Sequence, residues 1–194
     1  MKIVLTFFLL SLTVACSVKK DINGNSSQQS DDNILARMFP DGKTWMIRNL
    51  EVDVPGSYCH HDDTVNCKEY GRLYTWAAAR EGCRQLGNGW RLPTDGEWQT
   101  LAKEFGGIYD DSQDKGKSAY ESLVGDDSQF NALLAGNRES NGSYERLGAH
   151  GFYWTATEYD SANAWFYNFA KGSVLLNHHS GDKGRAVSVR CIKD

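Results

Sequence analysis

The feature that most restricts how this chain can fold is a pair of thiols at the two ends of one domain. Cys83 lies in the stretch Leu73 to Leu86, where Leu73, Trp76, Ala77, Cys83 and Leu86 recur close to helical spacing. Cys191 ends Val187-Ser188-Val189-Arg190-Cys191, whose alternation reads as a strand with Val187, Val189 and Cys191 on one face. Joined, the two thiols would clasp a helix to the last strand. Besides Cys16 there are four cysteines, Cys59, Cys67, Cys83 and Cys191. An even count in an exported protein reads as a disulfide framework. Four thiols allow three pairings. The favoured one joins Cys59 to Cys67 around a small polar loop and Cys83 to Cys191 around nearly the whole domain. A loop of about 100 residues is worth roughly 4–5 kcal/mol in the chain-entropy model. Zinc binding is the competing use of these thiols, and no Cys-x-x-Cys spacing supports it.

Export is read from the first residues. Lys2 precedes the apolar run Ile3 to Leu10, and Ser11-Leu12-Thr13-Val14-Ala15 leads to Cys16. One basic residue, a short apolar core and a small residue before the break make a secretory signal over residues 1–15, too short to span a bilayer core comfortably. Ala15-Cys16 resembles the lipobox of bacterial lipoproteins, in which the cut falls before a cysteine that then carries lipid. Thr13 departs from that pattern, which usually has Leu three residues before the cysteine. Acyl chains on Cys16 would anchor the protein to a membrane, since anchoring strength grows with each buried methylene. Residues 16–33 include Lys-Lys-Asp, Asn-Gly-Asn and Ser-Ser-Gln-Gln-Ser, too polar to bury the surface that ordering requires, and read as a tether. Residues 34–194 are the size of one domain.

Within that domain Asp41-Gly42 marks a turn before a first strand, Lys43 to Leu50, with Trp45 and Ile47 on one face. Asp53 to Asn66 reads as loop. A helix spans Leu73 to Leu86 and stops at Gly87. Pro93 and Thr94 open a second helix, in which Thr94 and Glu97 form a capping box and Trp98, Leu101 and Phe105 make the apolar stripe. Gly106 to His150 reads as a long irregular segment from which Phe130, Leu133 and Leu134 return to the core. Strands are predicted over Gly151–Thr157, Ala164–Phe169 and Ala186–Ile192, with a further one over Val174–Asn177. Helices first and an antiparallel sheet last make an α+β domain.

Trp45 with Asn49-Leu50, Tyr70-Gly71-Arg72-Leu73-Tyr74-Thr75-Trp76, Gly89-Trp90-Arg91-Leu92-Pro93-Thr94 with Glu97-Trp98, Trp154-Thr155-Ala156-Thr157, Ala164-Trp165 and Val187 to Cys191 occur in that order. Over about 150 residues the chain thereby resembles the Fibrobacter succinogenes major paralogous domain, found in surface lipoproteins. That resemblance implies a relation to the C-type-lectin fold: two helices flanking a twisted antiparallel sheet, a long loop region, and termini close together. A bridge from Cys83 to Cys191 fits that picture. The Cys59/Cys67 insert with His60-His61-Asp62-Asp63 is a departure from it. The sugar-binding members of the wider fold hold calcium through Glu-Pro-Asn or Gln-Pro-Asp and Trp-Asn-Asp. None of these occurs here, and Trp165-Phe166-Tyr167-Asn168 lacks the carboxylate that calcium requires. Arg91-Leu92-Pro93-Thr94 with Glu97-Trp98 is also similar to formylglycine-generating enzymes, whose chemistry uses reactive cysteines. Here the cysteines have structural roles, so the likeness implies shared fold only.

The chain carries a formal charge of −4 and no long Lys/Arg cluster, which argues against nucleic acid as a partner. No Gly-x-Ser-x-Gly, Walker or dinucleotide motif is present. The five histidines, His60, His61, His150, His178 and His179, fall outside the expected helices. With Asp62, Asp63 and Asp182 they could form a surface metal site, but solvated polar loops account for them better, and no metal or cofactor is assigned. The expected function is therefore non-enzymatic: an outer-membrane lipoprotein of the cell envelope displaying a lectin-like recognition domain for a glycan or an envelope protein. The candidate ligand-binding residues are Glu158, Tyr159, Trp165 and Arg185, around the last strands. Two alternatives are a structural or assembly component of the outer envelope and a metal-dependent hydrolase using the histidine loops.

Overall fold

The computed structural model describes residues 34–125 and 127–194. The signal segment, Cys16 and the tether lie outside the described residues. Within them the chain is an α+β domain whose long sheet is covered on both faces. The domain opens with β1 (Ala36–Met38) and β2 (Thr44–Met46). After β3 (Ser57–Tyr58) and a 3-10 turn (His60–Asp62) come α1 (Thr64–Tyr70), β4 (Leu73–Tyr74), α2 (Trp76–Gln85), α3 (Asp95–Glu104) and α4 (Lys117–Leu123). The second half is β5 (Ala135–Arg138), β6 (Tyr144–Leu147), β7 (His150–Glu158), β8 (Asn163–Ala170), β9 (Leu175–Asp182) and β10 (Ile192–Lys193). No helix among the described residues is long and apolar enough to cross a membrane.

The main sheet has the order β6-β5-β7-β8-β9 and is antiparallel except where Gly136 of β5 meets Gly151 of β7 in parallel. Gly136 has φ +65°, and a Cβ there would stand 2.3 Å from the Glu145 carbonyl oxygen, so only glycine fits the crossing. Successive residues of β7 and β8 point to opposite faces, and both faces are apolar. Phe152, Trp154, Ala164 and Phe166 join Trp76, Ala79 and Cys83 of α2 in one core cluster. Tyr153, Tyr167 and Phe169 join Trp98 and Leu101 of α3 and Tyr120 and Leu123 of α4 in a second. Trp45 and Ile47 belong with the second cluster and Met46 with the first, which is the alternation expected of the first strand, although that strand ends at Met46 and does not continue to Leu50. β1, β2 and β10 form a separate antiparallel sheet with β2 in the middle, which sets the start of the domain beside its end.

Both favoured disulfides are formed. Cys59–Cys67 closes a separation of 8 residues and Cys83–Cys191 one of 108. The second helix starts as expected: Thr94 Oγ1 accepts from the Glu97 amide, and Glu97 accepts in turn from the Thr94 amide at 2.8 Å.

Four expectations need correction. The helix expected from Leu73 begins at Trp76, because the Tyr74 amide and carbonyl both bond to Val187 and hold Leu73-Tyr74 extended. The Asp53–Asn66 stretch contains β3, the 3-10 turn and the first half of α1. Helix α1 buries no residue and so carries no apolar stripe; the Cys59–Cys67 bridge and an Asp63 cap hold it instead. The supposedly irregular Gly106–His150 segment contains α4, β5 and β6, so the described domain has four α-helices rather than two. Finally, Ala186 to Cys191 is extended but joins no ladder. Its backbone bonds in turn to Arg138, Tyr74, Phe152, Trp154, Leu50 and Met46, threading between elements, and only Ile192–Lys193 is a strand.

That thread carries the least expected core residue. Arg190 is fully buried with no carboxylate beside it. Its guanidinium donates to Asn49 Oδ1 at 2.7 Å, Met46 O at 3.0 Å, Phe130 O at 2.6 Å and to Asn131 O. Asn49 donates onward to Tyr70 O and Ser188 Oγ. Asn49, Ser188 and Arg190, three of the residues that carry the family resemblance, thus form one buried polar network.

Candidate functional site

The candidate ligand residues sit around the end of β7. Between Trp154 and Glu158 the register of β7 against β8 slips. A strand that bulges re-aims its side chains and releases backbone groups to other partners. Here the Ala156 amide bonds to Pro93 O at 2.7 Å, and Thr157 Oγ1 accepts from the Asp95 amide at 3.0 Å. The bulge therefore fastens the tip of the β7–β8 hairpin to the first residues of α3. The tip itself is set by Asp160, whose Oδ1 accepts from the amides of Ala162 and Asn163, both at 2.8 Å. These bonds and the Asn163 side-chain amide hold the Asp160 carboxyl below its usual range.

On this support three aromatic rings line up. Tyr159 meets Trp165 edge-on with centroids 4.9 Å apart, and Trp165 stacks on His178 at 4.3 Å and 17°. His178 Nε2 lies 2.7 Å from Asp95 Oδ1, so the ring at the base is oriented by a carboxylate on α3. Five of the six tryptophans are buried; Trp165 is only half-buried, and Tyr159 is 56 % exposed. Glu158, beside Tyr159, pairs at 3.1 Å with Lys183, which also donates to the carbonyls of Asp160 and Ser161.

Arg185 does not join this group. Trp165 and Phe166 are neighbours on β8 and face opposite sides, and Arg185 lies over the rings of Phe152 and Phe166 at 5.3 and 5.6 Å. Its Nε stands 3.0 Å from Glu139 Oε2. The arginine packs on the α2 side of the sheet, while Tyr159 and Trp165 lie on the α3 side. Of the four candidates the structure brings together Tyr159 and Trp165, and it adds Asp95 and His178; Glu158, opposite Ala164 in the register, turns instead to Lys183 on the α2 side. Asp95 reads in the sequence only as the first helical residue after a cap, so no local signal marks it as the partner of His178.

The histidines are distributed, not gathered. His60 and His61 occupy the 3-10 turn against Tyr144 of β6, and His178 and His179 lie on β9. β6 and β9 are the two outer strands of the main sheet. Among the described residues no group of three His, Cys, Asp or Glu side chains is placed to hold a metal ion. The hydrolase alternative thus gains no ligand set from the fold.

A second concave surface adjoins the first. One face of α2 (Trp76, Ala77, Arg80, Glu81, Arg84) and the segment Trp90-Arg91-Leu92 with Thr94 and Glu97 enclose a cleft of about 710 Å³, floored in part by Ala156. Arg91 binds Glu97 bidentately at 2.6 and 2.8 Å. Burial alone would raise the Glu97 carboxyl, but the Arg91 and Thr94 hydrogen bonds outweigh it and bring the pKa down to about 2. A carboxylate lowered by folding stabilises the fold above its unfolded pKa, near 4.5, and that contribution is lost as pH falls toward 2. Because the pair is partly exposed and screened by solvent, the contribution is about 1–2 kcal/mol. Glu97→Gln is accordingly expected to flatten the acid limb of stability against pH between those values, measured by urea unfolding across a pH series. An unchanged slope would rule out the assigned role of Glu97.

In the sequence Trp90 to Glu97 shows only the start of a helix, and the run Trp76, Arg80, Arg84 at helical spacing is a local trace of the cleft.

No curated protein and no solved structure matches the chain. The model of the Fibrobacter succinogenes major domain matches residues 31–193, which is nearly all of the domain and includes every residue of both surfaces. The chain belongs to the Fibrobacter succinogenes major domain family.

Proposed function

We propose that this chain is a non-enzymatic recognition module of the cell envelope, of C-type-lectin-like fold, held to the outer membrane by lipid on Cys16 and binding a glycan through Tyr159 and Trp165. The observation that carries the reading is the exposed ring stack on a rigid base. In a domain that buries its five other tryptophans, an indole left half-open beside an exposed tyrosine is the usual form of a surface that meets a ligand. The hairpin tip needs no ordering before binding, because Asp160, the bulge and Lys183 already hold it. Calcium plays no part in the proposal. The test is a glycan array with the purified protein. Tyr159→Ala and Trp165→Ala are expected to reduce binding at least about tenfold, equivalent to about 1.4 kcal/mol, with melting temperature nearly unchanged. Arg185→Ala is expected to act on stability instead. Arrays that stay blank for the unaltered protein, or that ignore both aromatic substitutions, would refute the reading.

A further inference from the structure

We infer that the cleft between α2 and the Trp90–Glu97 segment is a second sugar subsite, selective for an acidic sugar whose carboxylate is received by Arg80. The charges of the cleft can be followed one at a time. Arg84 is held by Glu81 at 2.7 Å and Arg91 by Glu97 at 2.6 Å. Both lining carboxylates are thereby neutralised. Arg80 is in no ion pair among the described residues; its guanidinium lies over the Trp76 ring, 4.9 Å from the centroid. Arg91 also meets Asp194 at 3.2 Å, and Lys43 stands 4.0 Å from Glu97, so these groups offset one another and Arg80 is the lining cation in no ion pair among the described residues.

The position of that charge matters as much as its sign. Arg80 follows Trp76 by one helical turn, and stacking on an indole restrains the planar fork before any ligand arrives. Trp76 is itself fixed by its Nε1 hydrogen bond to Thr155 O at 2.8 Å, and Lys183 approaches the same ring at 4.8 Å. A guanidinium fork matches a carboxylate bidentately. Beside it Ala77, Leu92 and Ala156 line the cleft with apolar surface, while the Trp76 and Trp90 rings are buried beneath Arg80, Lys183 and Lys193.

The same surface is poorly equipped for a peptide. Its α2 wall is helical, and the amides of Trp90 and Arg91 are already bonded to Gly87 O and Ile192 O, so main-chain pairing has few partners. Lys183, over the Trp76 ring, pairs with Glu158 of β7 at 3.1 Å. The inference shares with the proposed function the premise that the ligand is a sugar, but it rests on different residues.

The test uses the purified full chain and calorimetric titration with tetragalacturonate, its fully methyl-esterified form and a tetra-aspartate peptide. The expected result is binding of the acid at least about tenfold tighter than of the ester or the peptide. Arg80→Gln, at an exposed helical position, should abolish that preference without moving the melting temperature. Equal affinity for acid and ester, an acid affinity indifferent to Arg80→Gln, or a peptide that binds as well as the sugar overturns the inference. The two readings fail separately. If Tyr159→Ala and Trp165→Ala abolish neutral-glycan binding while acid selectivity is absent, only the Arg80 subsite falls. If acid selectivity depends on Arg80 and neither aromatic substitution affects any glycan, only the Tyr159–Trp165 surface falls.

Discussion

Arg190→Met is expected to lower the stability of the domain by about 4 kcal/mol or more, a large share of the 5–15 kcal/mol typical of such domains. The side chain is nearly isosteric along its stem, so the loss would not come from a cavity alone. It comes from the acceptors: the carbonyls of Met46, Phe130 and Asn131 and the Asn49 side chain would all lose a charged donor at once. Each buried polar group left without a partner costs about 1–3 kcal/mol, and a methionine side chain has no donor to replace the five-donor fork. Burial already works against the charge, since desolvation pushes the Arg190 guanidinium below its ordinary pKa; the carbonyls and the Tyr153 and Phe130 rings offset that cost. Arg190→Lys should also destabilise, because an ammonium cannot reach acceptors arranged around a plane. Urea unfolding measures both. A midpoint shift of less than about 0.5 M for the methionine variant would mean that the network does not hold the thread in place.

The second large effect concerns the long disulfide. Cys83 and Cys191 are completely buried, and the bridge ties α2 to the thread just before β10. Replacing both with alanine is expected to cost about 2–5 kcal/mol and a large part of the thermal stability. The short bridge behaves differently. Cys67 is partly exposed, and Arg72 Nη1 lies 3.9 and 3.8 Å from the sulfurs of Cys59 and Cys67, where it would favour the thiolates formed on reduction. With increasing reductant, Cys59–Cys67 should open first and with a smaller change in melting temperature, because its loop is short. Mass spectrometry of alkylated samples orders the two events. Simultaneous opening, or a doubly substituted Cys83/Cys191 protein that melts like the original, would contradict the assignment of the long bridge as the main clasp.

The aromatic stack was half visible in the sequence. Tyr159 and Trp165 lie near each other along a hairpin, so their meeting is a local matter. Arg185 stood equally close to the last strands by sequence. Whether it shared their face depended on strand parity and on the course of the chain after β9, and the structure places it across the sheet over Phe152 and Phe166. The His178–Asp95 contact spans 83 residues and has no local signature at all.

What the sequence alone determined are the features that a short stretch of chain carries in its own chemistry. These are the Thr94–Glu97 capping box, the alternation of β7 and β8, the apolar stripe of α3, and the even set of four cysteines, whose pairing the structure then fixed. Each follows from hydrogen bonds or side-chain periodicity within a few residues, or from parity in a small set. Only the tertiary structure decided the extended thread from Ala186 to Cys191, the short elements between Gly106 and His150, and both ligand surfaces. The thread looks like a strand because its side chains alternate, yet its backbone partners are six residues spread over several elements. Helix α1 buries nothing and leaves no periodic trace, and α4 is only 7 residues long. The cleft exists because α2 and the Trp90 segment are brought together by Cys83–Cys191 and by the Arg91–Ile192 bridge, contacts between residues remote in the chain. Periodicity reports which side of an element is apolar; what lies against that side is set by the packing of the whole domain.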